Sequence, residues 1–503
     1  MYGLLCFVVP LLPALVEAAT THYQGGTIVA FDRATEGLRV IRDGCITVTG
    51  DTITEISETV PGNFSSDSQI VNITGKIVTP GFIDTHRHGW QTAMRTIGSN
   101  TSLVEYFSRF GEFAAAGLLT PDDVYISQLM GLYEAQAAGV TTTLDHAHHT
   151  WSNETAEAGL QASIDSSARV FWCYTFHNVT NYTITEQLAN FRDIATKAEF
   201  ANTSTTLGIA YDSFDPDGNL EEIRSIMSLA DQFDIPLVTS HSLQGPWQID
   251  NSPEDLHSLG YLNGTRAVVL SHASFLTSTG AALLRSTNQY ISVTPESEMH
   301  YGHTHPKNYY FQEQAALGVD THFTFSTDIL TQARIWLQQA RYQMYSDVIE
   351  QWALPVNNPE SVNQAFLLAT RNGGLALRRE DLGVIEEGAK ADLVFWDGDS
   401  PALLGWVDPV AAVILHASVG DIDTVLVGGN VVKKGGKLVV EGYDGLKGRF
   451  LRTARSVQQT FKDRPLPSME VEASVFSGNF PLAQAQRADV LRGSGDGYGA
   501  NFW

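Results

Sequence analysis

Two histidines separated by a single residue, His86 and His88, close the apolar run Gly81-Phe-Ile-Asp-Thr85. Residues two apart on a strand point to the same face, so both imidazoles project to one side. Two neutral imidazoles on one face make half of a four- or five-coordinate site for a divalent metal ion. His241 ends Leu237-Val-Thr-Ser240, His272 ends Val268-Val-Leu-Ser271, and Asp328 follows Phe323-Thr-Phe-Ser-Thr327. Each alone has a plainer explanation: a hydrogen-bonded core histidine for the first two, a helix cap for Asp328. Imidazole and carboxylate groups at several strand ends, aimed at one place, instead form the donor set of a metal that activates water.

The elements around them must bring those ends together. Apolar, β-branched runs occur at 80–88, 140–146, 169–177, 206–212, 236–242, 266–273, 289–296 and 321–328, and helical patterns at 121–138, 184–200, 220–233 and 276–286 separate several of them. Eight strands alternating with helices predict an α/β fold, a closed parallel (β/α)8 barrel of the TIM type. Titratable residues close the runs: His86 and His88, Asp145 and His146, His177, Asp212, His241, His272, Glu296 and Asp328. Barrel enzymes carry their chemistry at these C-terminal strand ends. The flanks read as strands of another kind, at 27–31, 45–56, 391–396 and 424–438, with Gly50-Asp51, Gly428-Gly429 and Gly435-Gly436 as turns. They predict a small β-module made from both ends of the chain. The expected organisation is a leader at 1–19, β-module at 20–78 and 384–448, barrel at 79–383, and a loosely packed tail from 449 to 503.

Composition narrows the setting. The chain has 503 residues, 43% hydrophobic and 17% charged, with a net charge of −25 from 31 basic and 56 acidic residues. That balance argues against nucleic acid and anionic membranes as partners and favours solubility. The opening run Leu4-Leu-Cys-Phe-Val-Val-Pro-Leu-Leu-Pro-Ala-Leu-Val16 is short, broken by Pro10 and Pro13, and followed by Ala18-Ala19, as in a cleaved signal peptide. Eight Asn-x-Ser/Thr sequons, at Asn63, Asn72, Asn100, Asn153, Asn178, Asn181, Asn202 and Asn263, fit a secreted glycoprotein. Only Cys45 and Cys173 remain beyond the leader, as one disulfide or, more plainly, two buried thiols. Two cysteines cannot build a thiolate zinc site, so any metal is held by histidine and carboxylate.

The segment Lys76-Ile-Val-Thr-Pro-Gly-Phe-Ile-Asp-Thr-His-Arg-His88 resembles the first-strand signature of the amidohydrolase superfamily, especially its cytosine deaminase, adenosylhomocysteine deaminase and triazine hydrolase branch. Gly139-Val-Thr-Thr-Thr-Leu-Asp145, Ser326-Thr-Asp328, Gly383-Val-Ile-Glu-Glu-Gly-Ala-Lys-Ala-Asp-Leu-Val394 and Val427-Gly-Gly-Asn430 follow in the family's order. The resemblance implies metal ligation by His86, His88 and His241, with Asp328 as fourth ligand or close neighbour and acceptor of the water proton. It implies that His272 binds or polarises the attacking water or the substrate, and that the terminal strands form a composite β-sandwich. The fourth strand, Thr206-Leu-Gly-Ile-Ala-Tyr-Asp212, lacks the lysine that bivalent relatives carboxylate, which favours one ion. Zinc is the expected metal; iron and manganese also accept these ligands.

One position departs from the branch. Where its deaminases carry a glutamate three residues after the fifth-strand histidine, this chain has Gln244, which cannot move a proton. Glu298 and His148 are the candidate replacements, with Glu296 and His177 behind them. His300, His303 and His305 share one loop that could line the cavity, and Trp90 and Phe107 could wall an aromatic substrate, core packing being the plainer role. The expectation is hydrolysis of a C–N bond in a small molecule, by deamination or by cleavage of an amide or cyclic amide, with a homo-oligomer compatible with the sequence. A non-catalytic extracellular metal- or ligand-binding protein on the same fold is the alternative.

Overall fold

A computed structural model of the chain describes residues 19–59, 66–197, 200, 203–303 and 309–465, with positions 483 and 485. Residues 1–18, the sequons Asn63 and Asn202, His305 and nearly all of the tail beyond 465 lie outside the described residues.

The N-terminal flank supplies β1 (Thr20–Asp32), β2 (Gly37–Thr49), β3 (Thr52–Ser57), β4 (Gln69–Asn72) and β5 (Lys76–Pro80). The C-terminal flank supplies β14 (Leu393–Asp397), β15 (Ile422–Val427), β16 (Asn430–Lys434) and β17 (Lys437–Leu438). The two sets join in one mixed nine-stranded sheet, because β14 runs antiparallel to β5, with Leu393 opposite Pro80 and Asp397 opposite Lys76. The aliphatic face of these strands, including Ile28, Ile46, Ile53, Val78, Leu393 and Leu426, is buried as the module's own core.

Between the flanks lie the barrel strands: β6 (Phe82–Arg87), β7 (Val140–Ala147), β8 (Arg169–Phe176), β9 (Thr205–Tyr211), β10 (Leu237–Leu243), β11 (Ala267–Ser274), β12 (Tyr290–Val293) and β13 (Ala315–Leu317). They form one parallel sheet in chain order. Nearly every residue of these strands is buried, which is why they read as continuous apolar runs without polar alternation. Helices such as Pro121–Ala137, Asn153–Asp165, Ile184–Thr196 and Leu220–Gln232 cross between them. Several start on reciprocal caps, Thr120 with Asp123 and Thr183 with Glu186 among them, which satisfy backbone N–H groups at the helix start.

The eighth strand corrects the expectation. It is Ala315–Leu317, and 321–328 is irregular. The chain then passes through Gly318 and hooks Val319 and Asp320 onto the end of β6, both backbone N–H groups donating to the carbonyl of His86, at 3.0 and 2.9 Å. Arg87 and Asp320 pair as a parallel bridge and complete the ring. Gly318 permits this closure: a Cβ there would lie 2.8 Å from the backbone nitrogen of His86 and 2.8 Å from Ser292 Oγ.

Among the described residues, the start of the expected tail is helical. Residues Tyr443–Asp463 form a 21-residue helix whose Ala454, Val457 and Phe461 are buried against the segment after β6. Gln458 Nε2 donates to the carbonyls of Ala93 and Arg95, and the Phe461 ring lies 5.8 Å from that of Phe110. Cys45 and Cys173 are buried free thiols, one in each sheet. Among the described residues no helix is long and apolar enough to cross a membrane.

Candidate metal centre and its cavity

Strand periodicity does at β6 what the spacing predicts. His86 and His88 face the axis while Arg87, fully buried, turns the other way, donates to Asp84 Oδ2 at 2.7 Å and reaches the Thr327 carbonyl at 3.0 Å. The three histidines converge through the same atom. His88 Nδ1 lies 2.9 Å from the His146 carbonyl, which only accepts, so the ring proton is on Nδ1 and Nε2 keeps its lone pair. His241 Nδ1 pairs with Asp212 Oδ2 at 2.8 Å, and His86 Nδ1 with Ser271 Oγ at 2.8 Å. The Nε2 atoms of His88 and His241 stand 3.4 Å apart.

The carboxylate among them is Asp320. Its Oδ1 lies 3.1 Å from His88 Nε2 and 3.4 Å from His86 Nε2, and its Oδ2 lies 3.9 Å from His272 Nε2. Ligand atoms at the corners of a tetrahedron with bonds of roughly 2.0–2.1 Å are separated by roughly 3.3–3.4 Å. The distances here match those edges, and the buried His86 Nε2 has no hydrogen-bond partner. A divalent ion therefore fits His86, His88 and His241, with Asp320 beside His86 and His88. Burial holds the His86 imidazole neutral, as a ligand requires. Burial also opposes charge on His241, but Asp212 outweighs it and raises the pKa to about 9, so a metal ion bound there would take the place of a proton. For Asp320 burial favours the neutral acid, but the adjoining His86, His88 and His272 rings outweigh it and hold its pKa well below the usual carboxylate range.

Asp328 is not part of this cluster. It is the N-cap of the helix Ile329–Ile349, Oδ1 accepting from Thr331 N at 2.6 Å and Oδ2 from Thr331 Oγ1 at 2.9 Å. Asp320, and not Asp328, stands beside the histidines, because the eighth strand ends well before Asp328.

His272 stands opposite, with Nδ1 2.9 Å from Thr294 Oγ1 and 3.7 Å from Glu298 Oε1. Its φ is +69° and that of Ala273 +47°, backbone that L-residues rarely adopt and that packing must hold in place. Glu298 is completely buried, and burial lifts its pKa to about 8. Glu296 is turned away, receiving hydrogen bonds from Ser326 Oγ and Gln332 Nε2. Gln244 is half-buried and its backbone N–H donates to Ser274 O. His148 packs against His88, ring centroids 3.8 Å apart and planes tilted by 32°, with Nδ1 accepting from Trp90 Nε1 at 3.0 Å. Trp90 is thus a buried support for His148 and not a substrate wall. His300 sits against Tyr301 and Phe325, whereas buried His303 lies 4.7 Å from the His272 ring.

A cavity of about 330 Å³ opens above the cluster, lined by His88, His241, His272 and Asp320 at its floor. Leu103, Phe107, Phe113, Phe176, Leu243 and Ile249 form apolar walls, and Tyr106, Glu112, His148, His177, Tyr301 and His303 add polar groups. No sequence pattern marks Glu112, Tyr106 and Tyr301, which lie on short helices between the strands. For Asp320 a signal exists: Ala315-Ala-Leu-Gly-Val-Asp320 is itself an apolar run ending in an acid.

Comparison with known proteins decides the family. The amidohydrolase family model matches residues 77–432, spanning both the barrel and the joined flanks. The chain belongs to the amidohydrolase family. It is similar to 5-methylthioadenosine/S-adenosylhomocysteine deaminase of Pyrococcus furiosus, 25% identical over 76% of this chain and 90% of that protein. It is similar also to 5'-deoxyadenosine deaminase of Methanothermobacter thermautotrophicus, 25% identical over 80% and 91%. Among solved structures, adenosine deaminase of Xanthomonas campestris with bound zinc superposes with a TM-score of 0.74 at 17% identity, covering 89% of this chain and all of that one. Atrazine chlorohydrolase of Arthrobacter aurescens with zinc gives 0.72 at 18% identity, over 86% and 100%; these two likenesses are of fold. This amidohydrolase is a metal-dependent hydrolase acting on carbon–nitrogen bonds of small molecules, and a divalent ion belongs to its chemistry.

Proposed function

We propose that this amidohydrolase uses one zinc ion to deaminate a small amino-substituted heterocycle. The observation that carries the reading is the convergence of three histidine Nε2 atoms and Asp320 at the floor of a cavity with apolar walls. When bound, the ion would lower the pKa of water towards about 7 and polarise the carbon under attack. His86, His88 and His241 would hold it through nitrogens whose opposite ring atoms are fixed by Ser271, the His146 carbonyl and Asp212. Asp320 Oδ2 accepts the proton of the attacking water, and His272, fixed by Thr294, orients the nucleophile. Gln244 cannot move a proton. Glu298, buried behind the cavity wall beside His272 Nδ1 and protonated through neutral pH, takes that part through the His272 ring, which faces the departing amine.

The deaminase choice within C–N hydrolysis draws on the activities named for the relatives. The leader-like opening and the sequons support a glycosylated, secreted enzyme. The test is metal content of the purified protein followed by ammonia release from adenosine, 5'-deoxyadenosine and 5-methylthioadenosine, with cyclic amides as the parallel arm. About one zinc per chain and ammonia from an amino-heterocycle are expected. Turnover confined to the amides would replace deamination by amide hydrolysis, and an active protein without metal would sink the mechanism.

A further inference from the structure

Glu112 opens the short helix Glu112–Ala115, and its side chain, 14% exposed, enters the cavity. Oε2 lies 3.6 Å from His148 Nε2 and Oε1 lies 3.8 Å from His177 Nδ1. Both gaps exceed a direct N–H···O hydrogen bond. The tautomers follow from the other ring nitrogens. His148 accepts from the Trp90 indole on Nδ1, so its proton is on Nε2 and faces the carboxylate. His177 Nε2 stands 3.2 Å from the Thr150 carbonyl, which only accepts, and 3.2 Å from Thr150 Oγ1. Thr150 Oγ1 donates its own proton to the Thr175 carbonyl at 2.6 Å, so it too accepts from His177. With its Nε2–H given to Thr150, His177 turns Nδ1 towards Glu112. That Nδ1 is buried and makes no hydrogen bond among the described residues.

A carboxylate oxygen and an unbonded buried ring nitrogen thus face one another across 3.8 Å, a gap that a hydrogen donor on a ligand can bridge. One nitrogen bearing two or three hydrogens can stand roughly 2.9 Å from both. The neighbouring wall is aromatic: Phe107, Phe113 and Phe176 line this end, and the Phe113 ring lies 5.8 Å from that of His177. Aromatic faces beside a carboxylate suit a positively charged nitrogen on a flat or apolar body. His148 packs against the ligand histidine His88, so this pair sits one imidazole away from the metal centre. We infer that Glu112 and His177 form a specificity subsite for a protonated amino or amidino group of the substrate, separate from the bond that is hydrolysed. The inference rests on the cavity being the substrate site of the proposed hydrolase.

The test is calorimetric titration of the metal-loaded full chain with benzamidine and with its near-isosteric neutral counterpart, benzamide. Benzamidine is expected to bind at least about tenfold more tightly, and both Glu112→Gln and His177→Phe to abolish that difference by weakening benzamidine far more than benzamide. Equal binding of the two compounds by wild type, or a preference that survives both variants, would overturn the inference and leave a closed imidazolium–carboxylate pair in its place. The outcome is separable from the proposed function. A chain that selects benzamidine yet releases ammonia from no substrate loses the deaminase reading alone, and an active deaminase indifferent to charge loses the subsite alone.

Discussion

Exchanging the two candidate aspartates separates the position the structure assigns from the one the sequence suggested. Asp320→Asn keeps the shape and removes the charge that stands 3.1 and 3.4 Å from the ligand nitrogens of His88 and His86. It removes one anionic ligand and the acceptor of the water proton together. Loss of a general base costs about 10²–10⁴ in rate, or about 3–5 kcal/mol of barrier. Asp328→Asn leaves an equally good helix cap, so its effect on stability is within about 0.5 kcal/mol. Asp328→Ala forfeits the cap, about 1 kcal/mol. With an unfolding entropy near 2.1 cal/mol/K per residue over 503 residues, that shifts Tm by only about 1 °C. Metal content by mass spectrometry, ammonia release and thermal melts on the three variants make the comparison. The expected pattern is Asp320→Asn with little metal and less than about 1% of activity, and both Asp328 variants with full metal and near-normal rates. An Asp328→Asn protein that loses metal while Asp320→Asn keeps it would refute both the donor set and the register of the eighth strand.

Glu298 sets an alkaline limit. Its folded pKa, raised by burial to about 8, exceeds the unfolded value of about 4.3, so its stabilising contribution is complete below that value and is lost as pH rises through about 8. Activity that depends on the protonated acid falls over the same limb, and Glu298→Gln should lower kcat by about 10²-fold and flatten it; a pH–rate profile with an unchanged alkaline limb would assign the proton elsewhere. Gly318→Ala drives a Cβ to 2.8 Å from the His86 nitrogen and should cost about 1–3 kcal/mol by overpacking, with loss of metal because His86 is displaced. Wild-type metal content and melting in that variant would show that the closure is looser than its distances imply.

Much of the fold is legible in the amino-acid sequence because barrel strands are buried on both faces and announce themselves as apolar runs. Seven of the eight runs fall on strands, and His86, His88, His241 and His272 sit where strand ends put them. The eighth fails for a physical reason. Ala315–Leu317 is only three residues long, whereas Thr321–Thr327 has the β-branched and aromatic look of a strand yet is spent on turns around Arg87. Asp328 looks like a ligand because an acid after an apolar run is also what a helix needs as its cap. The C-terminal helix carries its apolar stripe at Phe450, Ala454, Val457 and Phe461, a spacing obscured by Gly445 and Gly448 near its start. Glu112 is illegible, since an isolated glutamate becomes meaningful only when the fold sets His148 and His177 beside it.

The joining of the two flanks has a bearing on biogenesis. The edge of β5 that β14 finally covers is complete at Pro80, yet its partner residues run to Asp397. At synthesis rates of about 5–20 residues per second, that edge waits roughly 15 to 60 seconds for its cover. Unpaired strand edges are templates for pairing with other chains, and contacts this distant in sequence form slowly. The nascent protein therefore depends on shielding until the C-terminal flank emerges. A chain stopped short of Leu393 would carry the open edge permanently, without the helix that packs behind the segment after β6, and would be met by the cell as an aggregation hazard before it could be met as an enzyme.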